Sequence, residues 1–224
     1  MNAPALPLPT TSRSIALTII VVLSLASAAQ AAEGGWVSLF NGKDLEGWEQ
    51  KNGSAKYSAD DGCIVGMSVP NSANSFLCSK KDYADFELEF EVKVDAALNS
   101  GVQIRSQSLP TYQKGRVHGY QVEIAVGGYS GGIYDEARRG KFLNDAPQPT
   151  EEIRGLLKDN QWAKYRVICQ GDHFQTWVNG VKVTDLHDDM TKSGFIGLQV
   201  HAVGARKEPL YVRWRTLRLR ELTS

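Results

Sequence analysis

Apolar and polar residues alternate through most of this chain from Trp36 onward, the period of two that marks strands with one dry and one wet face. The stretch FELEFEVKV (86–94) alternates without a break. NSGVQIRS (99–106) and GYQVEIAV (119–126) set Val102, Ile104, Tyr120, Val122 and Ile124 on one side of a sheet. The opposite side then carries Gln103 with Arg105, and Gln121 with Glu123. FIGLQVHAV (195–203) repeats the arrangement, with Leu198 and Val200 facing in and Gln199 and His201 facing out. WAKYRVICQ, HFQTWV and VKVTDL follow one another as strands, the last two joined by Asn179-Gly180, a favoured hairpin turn. The final strand, 210–222, places Tyr211, Arg213, Arg215 and Leu217 on one face. Further strands are expected at 36–40, 56–66 and 75–79, and only 151–158 hints at a helical turn. Roughly ten or more strands at 8–12-residue spacing predict an all-β sandwich.

Three strands far apart in sequence thus offer Arg105, Glu123 and His201, with Gln103, Gln121 and Gln199 beside them, to what reads as one surface. A solvated face alternates in the same way. The side-chain types tilt the reading, since Gln/Arg, Gln/Glu and Gln/His make a hydrogen-bonding set suited to sugar hydroxyls. By contrast Glu87, Glu89, Glu91 and Lys93 read as a solvated face or a protected edge. The segment SGGIYDEARRG (130–140) reads as a loop. Its Asp135, Glu136, Arg138 and Arg139 either pair with one another or, with Ile133 and Tyr134 as anchors, are presented to a ligand over the polar face. Trp177 shares a face with His173 and Gln175, where it packs or stacks on a sugar ring.

Composition narrows the partners. Lysine plus arginine total 25 and aspartate plus glutamate total 25, so no overall field recruits nucleic acid or an anionic membrane. Residues 1–31 read as a secretory signal peptide: Arg13, then the apolar run IALTIIVVLSLASA, then Ala29-Gln30-Ala31 as a cleavage pattern. The run is shorter than the ~20 residues that span a bilayer. The expected product is a single domain, 32–224, located in the periplasm or secreted, without a membrane anchor after cleavage. Cys63 and Cys78 fall on neighbouring predicted strands and could pair in an oxidising compartment, leaving Cys169 free. No metal-binding spacing appears among the histidines. The acidic run 185–189 lacks the alternating ligands of a calcium loop. No phosphate loop, dinucleotide fingerprint or nucleophile elbow is present, so no metal and no cofactor is expected. Nothing in the sequence sets the oligomeric state.

The motifs WVSLFNGKDLEGW, NSGVQIRS, GYQVEI, SGGIYDEARRG, TWVNG and GFIGLQVHA, in this order, resemble the secreted bacterial family known as the 3-keto-disaccharide hydrolase domain, over nearly the whole mature chain. The resemblance implies a concanavalin A-like jelly roll of two antiparallel sheets with the ligand on the concave face. It also implies a glycoside hydrolase or lyase acting on sugars oxidised to a ketone at C3. A ketone there acidifies the C2 proton, so Glu123 or His201 would remove it while the other assists the leaving group, and Arg105 would stabilise the enolate oxygen. Gln103, Gln121, Gln199, Asp135, Glu136, Arg138 and Arg139 would bind the substrate. A two-carboxylate route would pair Glu123 with Asp135 or Glu136. Where other members of the family continue GYQVEI with an aspartate, Ala125 and Val126 stand here, so no carboxylate acts from that position. The rival expectation is a lectin-like carbohydrate-binding domain, because this sandwich serves binders as readily as enzymes.

Overall fold

A computed structural model describes residues 33–223 except 147, together with Met1. The signal-peptide reading of 1–31 therefore falls, but for Met1, outside the described residues. Fourteen strands follow one another: β1 (Val37–Ser38), β2 (Trp48–Lys51), β3 (Lys56–Asp60), β4 (Cys63–Met67), β5 (Ser75–Tyr83), β6 (Phe86–Val94), β7 (Ser100–Gln107), β8 (His118–Ile124), β9 (Ile133–Glu136), β10 (Ala163–Gln170), β11 (His173–Val178), β12 (Val181–His187), β13 (Gly194–Val200) and β14 (Tyr211–Glu221). Besides a 3-10 turn at Glu33–Gly35, the described residues hold one short α-helix, α1 (Glu151–Arg154), capped by the Thr150 hydroxyl, which accepts from the Ile153 amide. The Asn179-Gly180 hairpin has both central residues at positive φ, 49° and 85°, as a type I′ turn requires.

The strands form two antiparallel sheets, as the alternation predicts. One has eight strands in the order β12-β11-β10-β6-β14-β4-β3, with β1 added along β14; the other runs β2-β5-β13-β7-β8-β9. Their inward residues make one core, in which Val102, Ile104, Val122, Ile124 and Leu198 of the six-stranded sheet meet Phe90, Val92, Tyr165, Phe174 and Trp214 of the other. Tyr120 and Phe174 pack across the two layers with ring centroids 4.6 Å apart. The Tyr57 hydroxyl donates across the layers to the Leu198 carbonyl, 2.9 Å away.

Several expectations change. β6 is an interior strand between β10 and β14, so its carboxylates do not guard an edge. They form a cross-strand ladder instead: Glu87 takes Arg166 and Arg220, Glu89 takes Arg218, and Glu91 takes Arg215. β14 is interrupted at Thr216 (φ 50°), where its register against β6 shifts. Leu217 therefore turns into the core rather than sharing a face with Arg215. Cys63, Cys78 and Cys169 are all free thiols. Cys63 lies on β4 and Cys78 on β5, in different sheets. Trp177 is covered by the Arg166 guanidinium at 4.6 Å and by Lys182, which favours packing over stacking on a sugar.

Candidate functional site

β7, β8, β9 and β13 lie side by side, and their registers fix which side chains meet. Gln103 pairs with Gln121, Gly101 with Glu123, Gln121 with Tyr134, and Gln199 with Gly101. All lie on the outward face, because the alternate residues fill the core. Gly101 is a steric requirement: a Cβ there would come within 2.5 Å of the Gln121 side chain. The segment 108–117 roofs part of this face through Val117, which packs with Phe76, Cys78 and Phe195 in a small apolar cluster.

Beyond that roof a cavity of about 170 Å³ opens, lined by Asn99, Gln121, Glu123, Tyr134, Glu136, Phe142 and His201. It is smaller than the several hundred Å³ of a typical small-molecule pocket, so it admits part of one sugar and leaves the remainder over open surface. Tyr134 and Phe142 meet edge to face at 5.3 Å and give it an apolar wall.

A relay of amides runs along the floor. The Ser106 hydroxyl donates to Gln103 Oε1 (2.7 Å), Gln103 Nε2 to Gln121 Oε1 (2.7 Å), and Gln121 Nε2 to Glu123 Oε2 (3.0 Å). Asn99 Nδ2 donates to Glu123 Oε1. These donors favour the carboxylate form, yet burial outweighs them and pushes the Glu123 carboxyl above its ordinary pKa. Burial raises Glu136 too, against the opposing charges of Arg116 and His201. Asn74 accepts the Ala202 amide at 3.0 Å and so fixes the backbone next to His201. His201 Nδ1 lies 2.9 Å from the Ala202 carbonyl. A carbonyl only accepts, so Nδ1 carries the proton and Nε2 is left with a lone pair in the neutral ring.

The structure thus brings Glu123, Glu136, His201 and Gln121 to one cavity, with Gln103 behind them. Gln199 lies fully buried in the adjoining row, and neither of its amide atoms has a partner in the protein. Arg105 is elsewhere. It sits in a β-bulge at φ 46°, where β7 slips its register against β8 between Ile104 and Gln107. The bulge reverses the side chain, which is only 1 % exposed. Its guanidinium binds the Ala84 carbonyl (2.6 Å), the Gly171 carbonyl (2.7 Å) and Asp85 (2.8 Å), and lies 5.2 Å from the Phe174 ring. It staples the β5–β6 and β10–β11 turns together. Gly119, opposite the bulge at φ 133°, has room for no side chain, since a Cβ would meet Ser106 Oγ at 2.5 Å.

Asp135, Arg138 and Arg139 also leave the site. Residues 133–136 are strand β9, not loop, so Asp135 faces inward opposite Tyr120 while Glu136 faces out. Fully buried, Asp135 binds Arg138 Nε (2.6 Å) and Arg139 Nε, and Arg139 goes on to Asp188 (2.6 Å). This is the self-paired alternative. Asn99, Tyr134 and Phe142 are cavity residues that the alternation did not single out. Asn99 was within reach, since it lies two and four positions before Gly101 and Gln103 and shares their parity. Phe142 joins through an isolated bridge to Tyr134 and ring contacts with Tyr129 and Tyr134, which no local pattern announces.

Fold and cavity together define a β-sandwich with two buried carboxyls and one imidazole gathered in a cavity on the outer face of its smaller sheet. The chain belongs to the 3-keto-alpha-glucoside-1,2-lyase-like domain family, whose model matches residues 35–220. No protein of curated function matches the sequence. Among solved structures, the chain is similar to a Parabacteroides distasonis protein provisionally named a glycosyl hydrolase (18 % identity, 84 % of this chain and 94 % of that one, TM-score 0.60). It is also similar to the carbohydrate-binding module CBM66 of Bacillus subtilis (16 % identity, 78 % and 96 %, TM-score 0.58). A third similar structure is a Bacillus subtilis protein with a galectin-like fold (12 % identity, 79 % and 90 %, TM-score 0.58). At these identities the likeness is one of fold, a jelly-roll sandwich.

Proposed function

We propose that this chain cleaves glycosides oxidised to a ketone at C3, by elimination and rehydration. The observation that supports this reading is the meeting of two buried carboxyls, both with raised pKa, and one imidazole in a single cavity floored by amides. His201 Nε2 removes the C2 proton, which the neighbouring ketone acidifies. The electron pair left at C2 forms the C1–C2 double bond as the C1–O bond breaks, and the departing oxygen takes its proton from Glu123. Water then adds across the double bond, so the net result is cleavage of the glycoside. An imidazole whose Nε2 keeps its lone pair and an acid that holds its proton above the usual carboxylate range suit these two transfers. The floor amide of Gln121, held from behind by Gln103, orients the sugar hydroxyls. Family membership is the second support.

The test is release of a chromogenic aglycone from a 3-keto-glucoside carrying deuterium at C2. Release with a slowed rate, or with deuterium lost to solvent, is expected. Release with C2 deuterium retained at full rate would instead favour an oxocarbenium route using Glu123 with Glu136. A non-catalytic sugar-binding role is the second reading, favoured by the likeness to CBM66; it predicts binding without release. We further propose that residues 1–31 direct export, so that the reaction takes place in the periplasm or outside the cell. Protein recovered from its host should begin near Ala32, and an intact Met1 in the membrane fraction would reject this.

A further inference from the structure

Proton abstraction beside a ketone builds negative charge on the ketone oxygen, and such sites hold a cation or a set of donors there. The arginine with the apparent parity for that task, Arg105, is committed to the sandwich interior. Arg138 and Arg139 are held by Asp135, Thr191 and Asp188. Among the described residues lining the cavity, His201 is the sole potential cation, and its task is to take a proton.

We propose that Arg116, at the end of the roof segment, is the cation of this site and binds the ketone oxygen of the substrate. Its guanidinium stands 3.7 Å from Glu136 Oε1, with the side chain 52 % exposed. That separation exceeds the 2.7–2.9 Å of a committed charge-assisted hydrogen bond. Its other contact is with Gln113 Oε1 at 3.2 Å. The arginines on the opposite sheet are held more closely, with Arg166, Arg220 and Arg215 at 2.5, 2.7 and 2.9 Å from their glutamates.

The root of Arg116 is as fixed as its tip is free. Asn52 accepts the Val117 amide (2.7 Å) and donates to the Gly115 carbonyl (3.1 Å), and the Ser108 hydroxyl reaches the same carbonyl at 2.6 Å. The Tyr112 hydroxyl donates to the Ala137 carbonyl (2.5 Å), one residue past Glu136, and its ring lies tilted against His118 with centroids 4.0 Å apart. His118 Nδ1 in turn contacts the Arg116 carbonyl at 2.8 Å. The backbone is thus positioned at the rim while the guanidinium is free to leave Glu136 for a ligand oxygen.

This inference rests on the keto-sugar reading, so its test separates the two. Binding of methyl 3-keto-glucoside and of methyl glucoside is measured by calorimetry in a Glu123→Gln background, with Arg116 intact, as Arg116→Ala and as Arg116→Lys. The expected result is a preference for the keto ligand that Arg116→Ala reduces about tenfold, the scale of one hydrogen bond to a charged group, and that Arg116→Lys restores in part. Affinity for methyl glucoside should stay within about twofold. An undiminished keto preference in Arg116→Ala, or an equal loss for both ligands, overturns the role of Arg116 and leaves the keto-sugar reading standing. No keto preference with Arg116 intact overturns both.

Discussion

The two outward faces of the sandwich carry the same kinds of charged residue to opposite effect. On the eight-stranded sheet Glu87, Glu89 and Glu91 each face arginines from the flanking strands. Three indole rings lie against those arginines: Trp36 under Arg218 and Arg220, Trp162 under Arg215, and Trp177 under Arg166. Burial pushes Glu89 up, but its hydrogen bond and charge pairing with Arg218 outweigh it and hold the carboxyl below its ordinary pKa. The hydrogen bond from Arg215 lowers Glu91. On the six-stranded sheet Glu123 has amides for neighbours where Glu89 has a guanidinium, and burial prevails. A compensated carboxylate is structure. One enclosed among neutral donors keeps its proton to higher pH than an ordinary carboxyl, which is what a general acid needs.

The largest expected effect belongs to neither face. Arg105→Met would leave Asp85 and two carbonyls without their shared donor, at a cost of about 3 kcal/mol in urea unfolding, the low end for a broken buried pair because Asp85 keeps some water. Turnover per folded molecule should not change. A loss of turnover at undiminished stability would move Arg105 into the site and spoil the contrast. Next in size, Glu123→Gln and His201→Ala should each lower release from a 3-keto-glucoside by about 10²-fold or more, while Glu89→Gln on the other sheet leaves it unchanged. Equal losses from both sheets would mean the assay reads folding and not chemistry.

Strand parity alone was enough to put Gln103, Gln121, Glu123 and Gln199 on one face, because a uniform period of two is local information. Arg105 and Leu217 depart from strand parity for one shared cause. A non-glycine residue at positive φ, Arg105 itself and Thr216 before Leu217, starts a bulge and shifts every later side chain by one. The energy that holds such a residue there comes from distant partners, the Ala84 and Gly171 carbonyls in the case of Arg105, and no window around position 105 contains them. The same holds for Glu136 and Asp135. The Gly131-Gly132 step favoured a loop, whereas pairing of β9 with β8 makes 133–136 a strand and sends the two acids to opposite faces.

The smallest effect is also the most direct comparison of the two faces, since their carboxyls should give stability opposite slopes with pH. A carboxyl whose pKa is raised on folding, as at Glu123, keeps its proton in the native state after the unfolded chain has lost it. Its contribution is present below the unfolded value near 4.5 and is lost as pH rises through the folded value. A carboxyl whose pKa is lowered, as at Glu89, contributes above that unfolded value and loses the contribution as pH falls through the folded one. Glu123→Gln, whose new amide can be accommodated because Asn99 and Gln121 are themselves amides able to flip, should therefore gain melting temperature relative to the wild type as pH rises above the unfolded value near 4.5. Glu89→Gln should match the wild type in acid and fall below it by at most about 1 kcal/mol near neutrality, the ceiling for a pair that still meets solvent. Parallel pH curves for the two variants would show that burial and pairing do not distinguish the faces.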